Sequence, residues 1–215
     1  MPYVINIYRK PKPGNFKAVR DAAITSLDAT AAATGKRGFV TGTMSHPRPA
    51  EGTGMIVSAT GGIDSVEELD AFMDASFEND EILDRIETVN ALCDSTANVI
   101  SRVLPSQSSI PENFKPKWVM RDMQIAKPGQ LLSLIDYLTE WREEGLGVRT
   151  NVVFTIPLGK MNLSSIRLTA MFESIADMEA ASDNIMSSPR VPGLLERLDG
   201  SPVRVISRIL HRTGF

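Results

Sequence analysis

Cysteine and histidine are nearly missing from this chain: Cys93, His46 and His211 are the whole complement in 215 residues. A single cysteine excludes an intrachain disulfide and any multi-cysteine metal site. Two histidines leave no HExxH motif and no dense histidine–carboxylate cluster of the kind that holds catalytic zinc or iron. No apolar run approaches the roughly 18 residues of a membrane span. Positive charge is not in excess either, with 23 Lys+Arg against 26 Asp+Glu and a net charge of −3. That balance gives no electrostatic reason to bind nucleic acid or an anionic membrane surface. GxGxxG and Walker loops are absent, so no phosphate cradle is expected. No basic segment followed by an apolar core succeeds Met1, and a reducing, cytoplasmic setting is the expectation.

What the chain does have is a repeat. Val99-Ile100-Ser101-Arg102-Val103-Leu104 returns as Val205-Ile206-Ser207-Arg208-Ile209-Leu210. Asp64-Ser65-Val66-Glu67-Glu68-Leu69-Asp70-Ala71 returns as Glu173-Ser174-Ile175-Ala176-Asp177-Met178-Glu179-Ala180, and Lys12-Pro13-Gly14 as Lys127-Pro128-Gly129. Three blocks in one order mean a duplicated unit of roughly 100 residues, an ordinary domain size. The reading is a first unit over 1–104, a Pro- and Ser-rich linker over 105–116, and a second unit over 117–215.

Each unit reads strand, helix, strand, strand, helix, strand. In the first, the β-branched and aromatic run 3–8 is a strand that Pro11, Pro13 and Gly14 break. Asn15 is placed to cap a helix carrying Phe16, Val19, Ala23, Leu27 and Ala31 at helical spacing and ending at Gly35. Strands follow at 39–45 and 55–60, with the loop chemistry of 46–52 between them. Ser65-Val66-Glu67-Glu68 is a capping box, Asp80 can cap a further helical stretch, and a strand ends at Leu104. The second unit places strands at 117–125, 148–156, 166–172 and 203–210. Its first helix presents Leu131, Leu134, Ile135, Leu138 and Trp141, Ser174 caps its second, and Pro189 and Pro192 bracket a short helical or turn segment.

Right-handed crossovers put both helices of such a unit on one face of its sheet. Val4, Ile7, Val57, Ala59, Val99 and Val103 nevertheless put apolar residues on both faces, and an apolar second face needs a cover. The other unit's sheet is the simplest one. The expected class is therefore α+β, with two tandem ferredoxin-like βαββαβ units packed sheet to sheet as a pseudo-dimeric barrel.

This tandem βαββαβ pattern resembles the dimeric α+β barrel superfamily, whose members include antibiotic-biosynthesis-type monooxygenases, haem-degrading monooxygenases and the NIPSNAP group. The resemblance covers nearly the whole chain and rests on topology and repeat. It implies a small-molecule ligand lodged between sheet and helices. It also implies, as an activity, cofactor-independent oxygenation of an aromatic or polycyclic substrate: the protein deprotonates the substrate and holds the anion beside oxygen. Haem-degrading relatives pair an asparagine on the first strand with an axial histidine on the second helix. Asn6 suits the first role, but neither second helix contains a histidine.

Candidate site residues follow from chemistry and from the repeat. His46 occurs in one copy only and can serve as acid or base near neutral pH; an exposed turn histidine is the plain alternative. Arg102 and Arg208 hold one strand position in both copies. They are either arginines whose stems pack on the sheet or cations that bind a carboxylate or phenolate. Tyr137 and Trp141, four apart on a helix, share a face and serve either the core or a pocket wall. Asn6 is an amide inside an apolar run, so it needs partners or a ligand to orient. Cys93, on an apolar helical face, reads as a buried inert thiol.

Weaker signals fall away. Lys36-Arg37-Gly38-Phe39-Val40 faintly matches an RNA-recognition signature but lies on the second strand, not the third. Asn162-Leu163-Ser164 is a glycosylation sequon of no use without secretion. No cofactor is called for. The expected partner is a small molecule, with no nucleic acid and no membrane, and edge strands make homo-oligomerisation an expectation as well. The competing function is a non-enzymatic binding, stress-related or assembly module. Amino-acid-binding ACT domains share this strand order.

Overall fold

The computed structural model describes residues 2–48, 52–104, 114–144, 152–158 and 164–214. The sequon, most of the linker and the start of the strand expected at 148–156 lie outside them. Eight strands hydrogen-bond in the order β1-β3-β2-β8-β5-β7-β6-β4, and the order closes on itself. The chain thus has the α+β barrel fold expected from its sequence. Its contacts divide it into two compact units, Met1–Val103 with Ser207–Phe215, and Leu104–Ile206.

In the first unit β1 (Tyr3–Pro11) lies between β3 (Ile56–Ile63) and β4 (Cys93–Val103), and β2 (Arg37–Ser45) pairs with β3. Helices α1 (Phe16–Thr34), α2 (Val66–Phe77) and α3 (Asp80–Ala91) cover one face. Val19, Ala23 and Leu27 of α1 pack with Val40, Ile56, Val89 and Cys93, while Leu69 of α2 packs with Tyr3, Ile5 and Ile63. Gly38 is what lets α1 approach β2. A Cβ there would stand 2.7 Å from Leu27 Cδ1 and 2.5 Å from the Ala59 carbonyl oxygen, so only glycine fits without a shift.

The second unit repeats the plan with β5 (Trp118–Ile125), α4 (Leu131–Glu143), β6 (Val153–Pro157), β7 (Ser165–Phe172), α5 (Ile175–Met186) and α6 (Val191–Arg197). The final strand β8 (Val203–Thr213) is divided between the two units at Ile206. Leu134, Leu138 and Trp141 of α4 pack with Phe154, Ile166 and Leu194; Met178 and Ala181 of α5 pack with Met120, Ala170 and Phe172.

Local chemistry decides the helix ends. Ser65 Oγ accepts from Glu68 N and Ser174 Oγ from Asp177 N, both at 3.1 Å, so the matched capping serines behave alike. Two capping expectations are corrected. Asn79, not Asp80, caps α3, its Oδ1 accepting from Ile82 N. Asn15 turns its amide to the Leu92 carbonyl instead of capping α1. The first strand does not stop at Tyr8 either. It runs to Pro11, and the register shifts between Lys10 and Pro11, which lets a residue without an N–H sit at the strand end.

Register also revises the expectation of a greasy second sheet face. Directly paired residues share a face, which sets Asn6 with Ala59, Phe39 and Val99, and Val4 with Ser101. Asn6, Thr41, Thr43 and Ser101 are all buried there among apolar neighbours. Thr41 Oγ1 donates to the Val57 carbonyl, and the Thr43 and Ser207 hydroxyls lie 3.4 Å apart. The face away from the helices is therefore mixed.

Candidate functional site

The sequence-derived candidates do not converge on one point. His46 sits just past β2, its Nδ1 accepting from Arg48 N at 3.0 Å, and its ring packs so closely on Gly52 that a Cβ there would meet His46 Cδ2 at 2.2 Å. The imidazole is held by its own loop. Arg102 is exposed and pairs with Tyr3, a residue of the helix-covered face. Arg208 follows Ser207, whose hydroxyl reaches Thr43; strand alternation therefore turns Arg208 to the opposite side. Both arginines stand on the other face of the strands from Asn6.

Tyr137 and Trp141 do meet, with ring centroids 6.3 Å apart in an edge arrangement. Trp141 is buried in the second unit's core. Tyr137 is clamped: its hydroxyl donates to the Arg190 carbonyl at 2.6 Å, and Arg190 and Arg197 lie 5.3 and 4.3 Å from its ring centroid. Gly193 lies so close that a Cβ would stand 2.6 Å from the hydroxyl oxygen. These contacts tie α4 to α6.

Among the described residues, three of the four buried polar side-chain atoms without a hydrogen bond lie on the first strands of the two units. Asn6 is 3% exposed, with no acceptor for Nδ2; Arg9 is 2% exposed, with none for Nε; Gln124 is 3% exposed, with no donor for Oε1. Each such atom costs about 1–3 kcal/mol unless something pairs with it. Asn6 was legible as a polar break in an apolar run. Arg9 was not, because a strand ending at Tyr8 leaves it in a turn; Gln124 lay within the expected strand 117–125 but was not singled out.

Aligning the two Lys-Pro-Gly triplets sets Gln124 against Arg9 and Asp122 against Ile7. All four belong to the helix-covered faces. Ile7 packs beside the α2 cluster, Arg9 pairs with Ile56 of the α1 cluster, and Gln124 pairs with Ile166. The residues at these aligned positions differ. In the second unit, Arg204 Nε and Nη2 fork onto Asp122 Oδ1 and Oδ2, each at 2.9 Å. That hydrogen-bonded pairing pushes the guanidinium pKa up against the opposing effect of burial. In the first unit the one hydrogen bond of the Arg9 guanidinium among the described residues goes to a hydroxyl, with Nη1 donating to Ser58 Oγ at 2.9 Å. Burial pushes its pKa down.

Among the described residues no group of three or more His, Cys, Asp and Glu is arranged to hold a metal, and no helix is long and apolar enough to cross a membrane. No known family profile and no curated protein matches the sequence. Solved structures do match over nearly the whole chain. An anthrone oxidase-like protein aligns at TM-score 0.68 and 14% identity, over 98% of this chain and 92% of its own. A monooxygenase candidate from Fusobacterium nucleatum subsp. nucleatum aligns at 0.72 and 10%, over 98% and 94%. A second, from Lactobacillus acidophilus, aligns at 0.62 and 10%, over 99% and 94%. Likeness at this level of identity is likeness of fold: the chain shares its α+β barrel with these proteins.

Proposed function

We propose that this protein binds a small molecule and oxygenates it without a cofactor, the substrate being an aromatic or polycyclic compound with an acidic hydrogen. The observation that carries this reading is the buried amide of Asn6, whose Nδ2 donor has no acceptor. A donor aimed at a developing phenolate or enolate oxygen stabilises charge where water cannot. The similar structures described as monooxygenases and as anthrone oxidase-like support the reaction class.

The chemistry balances without an added reductant. Loss of a proton from an activated CH2 gives a resonance-stabilised anion whose electrons reduce dioxygen. One oxygen atom becomes the new carbonyl and the other leaves as water with the two hydrogens removed. Asn6 is the orienting donor in this scheme, and His46 is the candidate base. Arg102 and Arg208, on the opposite strand face from Asn6, and Tyr137 with Trp141, packed within the second unit, have no part in this scheme.

The test is oxygen uptake with a panel of anthrones and naphthols in chelated buffer. Uptake above the buffer rate is expected with at least one of them, falling about 100-fold in kcat/KM in Asn6→Ala, the size of loss typical of a removed oxyanion donor. No uptake with any compound, or an unchanged rate in the variant, sinks the proposal. The tight packing of Trp141 and the clamp on Tyr137 favour a second reading, a binding module without turnover. Saturable binding of the same compounds with no oxygen consumed would establish that reading instead.

A further inference from the structure

We propose that the Nε edge of Arg9 is a binding site for a small carboxylate with an apolar body. The inference is independent of the oxygenase reading, because Arg9 and Asn6 stand on opposite faces of β1.

Three observations meet here. Arg9 is 2% exposed, yet among the described residues its guanidinium has one hydrogen bond, to Ser58, and no carboxylate partner. A buried guanidinium costs several kcal/mol of desolvation, which a neutral hydroxyl offsets only in small part. The neighbouring Cys93 is no counter-ion. Burial pushes its thiol pKa up, and its Sγ lies 3.3 Å from the Val89 carbonyl, to which it donates.

The chain itself shows what this edge accepts. Nε and Nη2 form one side of a guanidinium, and on Arg204 that side forks a carboxylate through both oxygens. On Arg9, Nη1 is spent on Ser58 while Nε stands bare. The carboxylate is also missing at the matching locus: where the second unit has Asp122, the first has Ile7. Arg9 is thus a buried cation with no carboxylate partner among the described residues, so an external anion completes it. Ile56, which pairs with Arg9, belongs to an apolar cluster with Val19 and Val89, so the surroundings of this guanidinium favour an anion with an apolar body. Phosphate, strongly hydrated and doubly charged, does not suit them.

The experiment titrates the full-length protein with benzoate at fixed ionic strength, read by calorimetry and by thermal unfolding, with inorganic phosphate in parallel. Saturable one-to-one benzoate binding is expected, with at least tenfold weaker or no phosphate binding. Arg9→Lys keeps the charge but loses the edge, and should bind benzoate at least tenfold more weakly. Ser58→Asp leaves Arg9 intact and supplies an internal carboxylate beside it. It should unfold at a higher temperature than wild type and no longer respond to benzoate, which keeps the test informative if Arg9 variants fold poorly. No saturable binding by wild type, equal binding of phosphate, or undiminished benzoate binding in Ser58→Asp would each overturn the proposal.

Discussion

A guanidinium that gives up water for one serine hydroxyl is a net cost to the folded chain, and Arg9 is that residue here. Replacing such a group with an apolar side chain of similar length is often stabilising. Arg9→Met combined with Ser58→Ala should therefore raise the unfolding free energy by about 1 kcal/mol or more in the absence of ligand. Urea denaturation measures it, and a loss of stability would show that the cation has a structural role. Asp28 is the opposite case. A hydrogen bond from His211, Nε2 to Oδ1 at 2.7 Å, holds its carboxyl below the usual range, helped by Thr213 and opposed by slight desolvation. The folded-state pKa is depressed, so this contribution is complete above the ordinary carboxylate value of about 4 and is lost as pH falls through the lowered one. Asp28→Asn should flatten the acid limb of stability between about pH 5 and pH 2 and leave the neutral region nearly level, as read by urea midpoints. An unchanged acid limb would remove the pair from the account. Asn6 was legible at this scale because an amide in a run of β-branched residues contradicts the run. Arg9 was hidden because its significance depends on whether the strand reaches it.

At the scale of elements the sequence was most explicit where a backbone need is met locally. Ser65 and Ser174 each satisfy one N–H at a helix start, and both were readable as caps from the side chain alone. Replacing either by alanine should cost about 1 kcal/mol, and the double variant should cost close to the sum, because the sites share no partner. Thermal unfolding checks both. Asn15 misled because its side chain donates through Nδ2 to the Leu92 carbonyl, on a segment far along the chain, and its Oδ1 accepts no helix N–H. Local propensity cannot see that contact. Gly38 is the reverse, a glycine inside a strand whose reason is another element. Gly38→Ala should destabilise by about 1–3 kcal/mol, since Leu27 and the Ala59 carbonyl leave no room for a methyl. Circular dichroism melts would show it, and a neutral effect would mean that α1 can lift from β2 without penalty.

On the scale of the whole molecule, the repeated sequence blocks pointed to the fold and away from the site. Two copies of one strand–helix plan read as an α+β barrel, because repeats constrain topology more tightly than any single segment does. The same logic drew attention to residues kept in both copies, such as Arg102 and Arg208, and to His46, which stands alone. The structure instead shows different residues at matched positions: Arg9 against Gln124, and Ile7 against Asp122. Asp122 is paired by Arg204, whereas Arg9 meets no carboxylate among the described residues. Sequence alone could not show this, because Arg204 lies far along the chain from Asp122. Ligands are proposed for two of the unmatched polar groups, Arg9 and Asn6, with Asn6 serving the proposed reaction. The most direct test is turnover of an anthrone under ¹⁸O-labelled dioxygen in chelated buffer, with the product analysed by mass spectrometry. The account predicts one labelled oxygen per product molecule, formed far more slowly by Asn6→Ala. Product formed at the buffer rate, or at equal rates by both proteins, would contradict it.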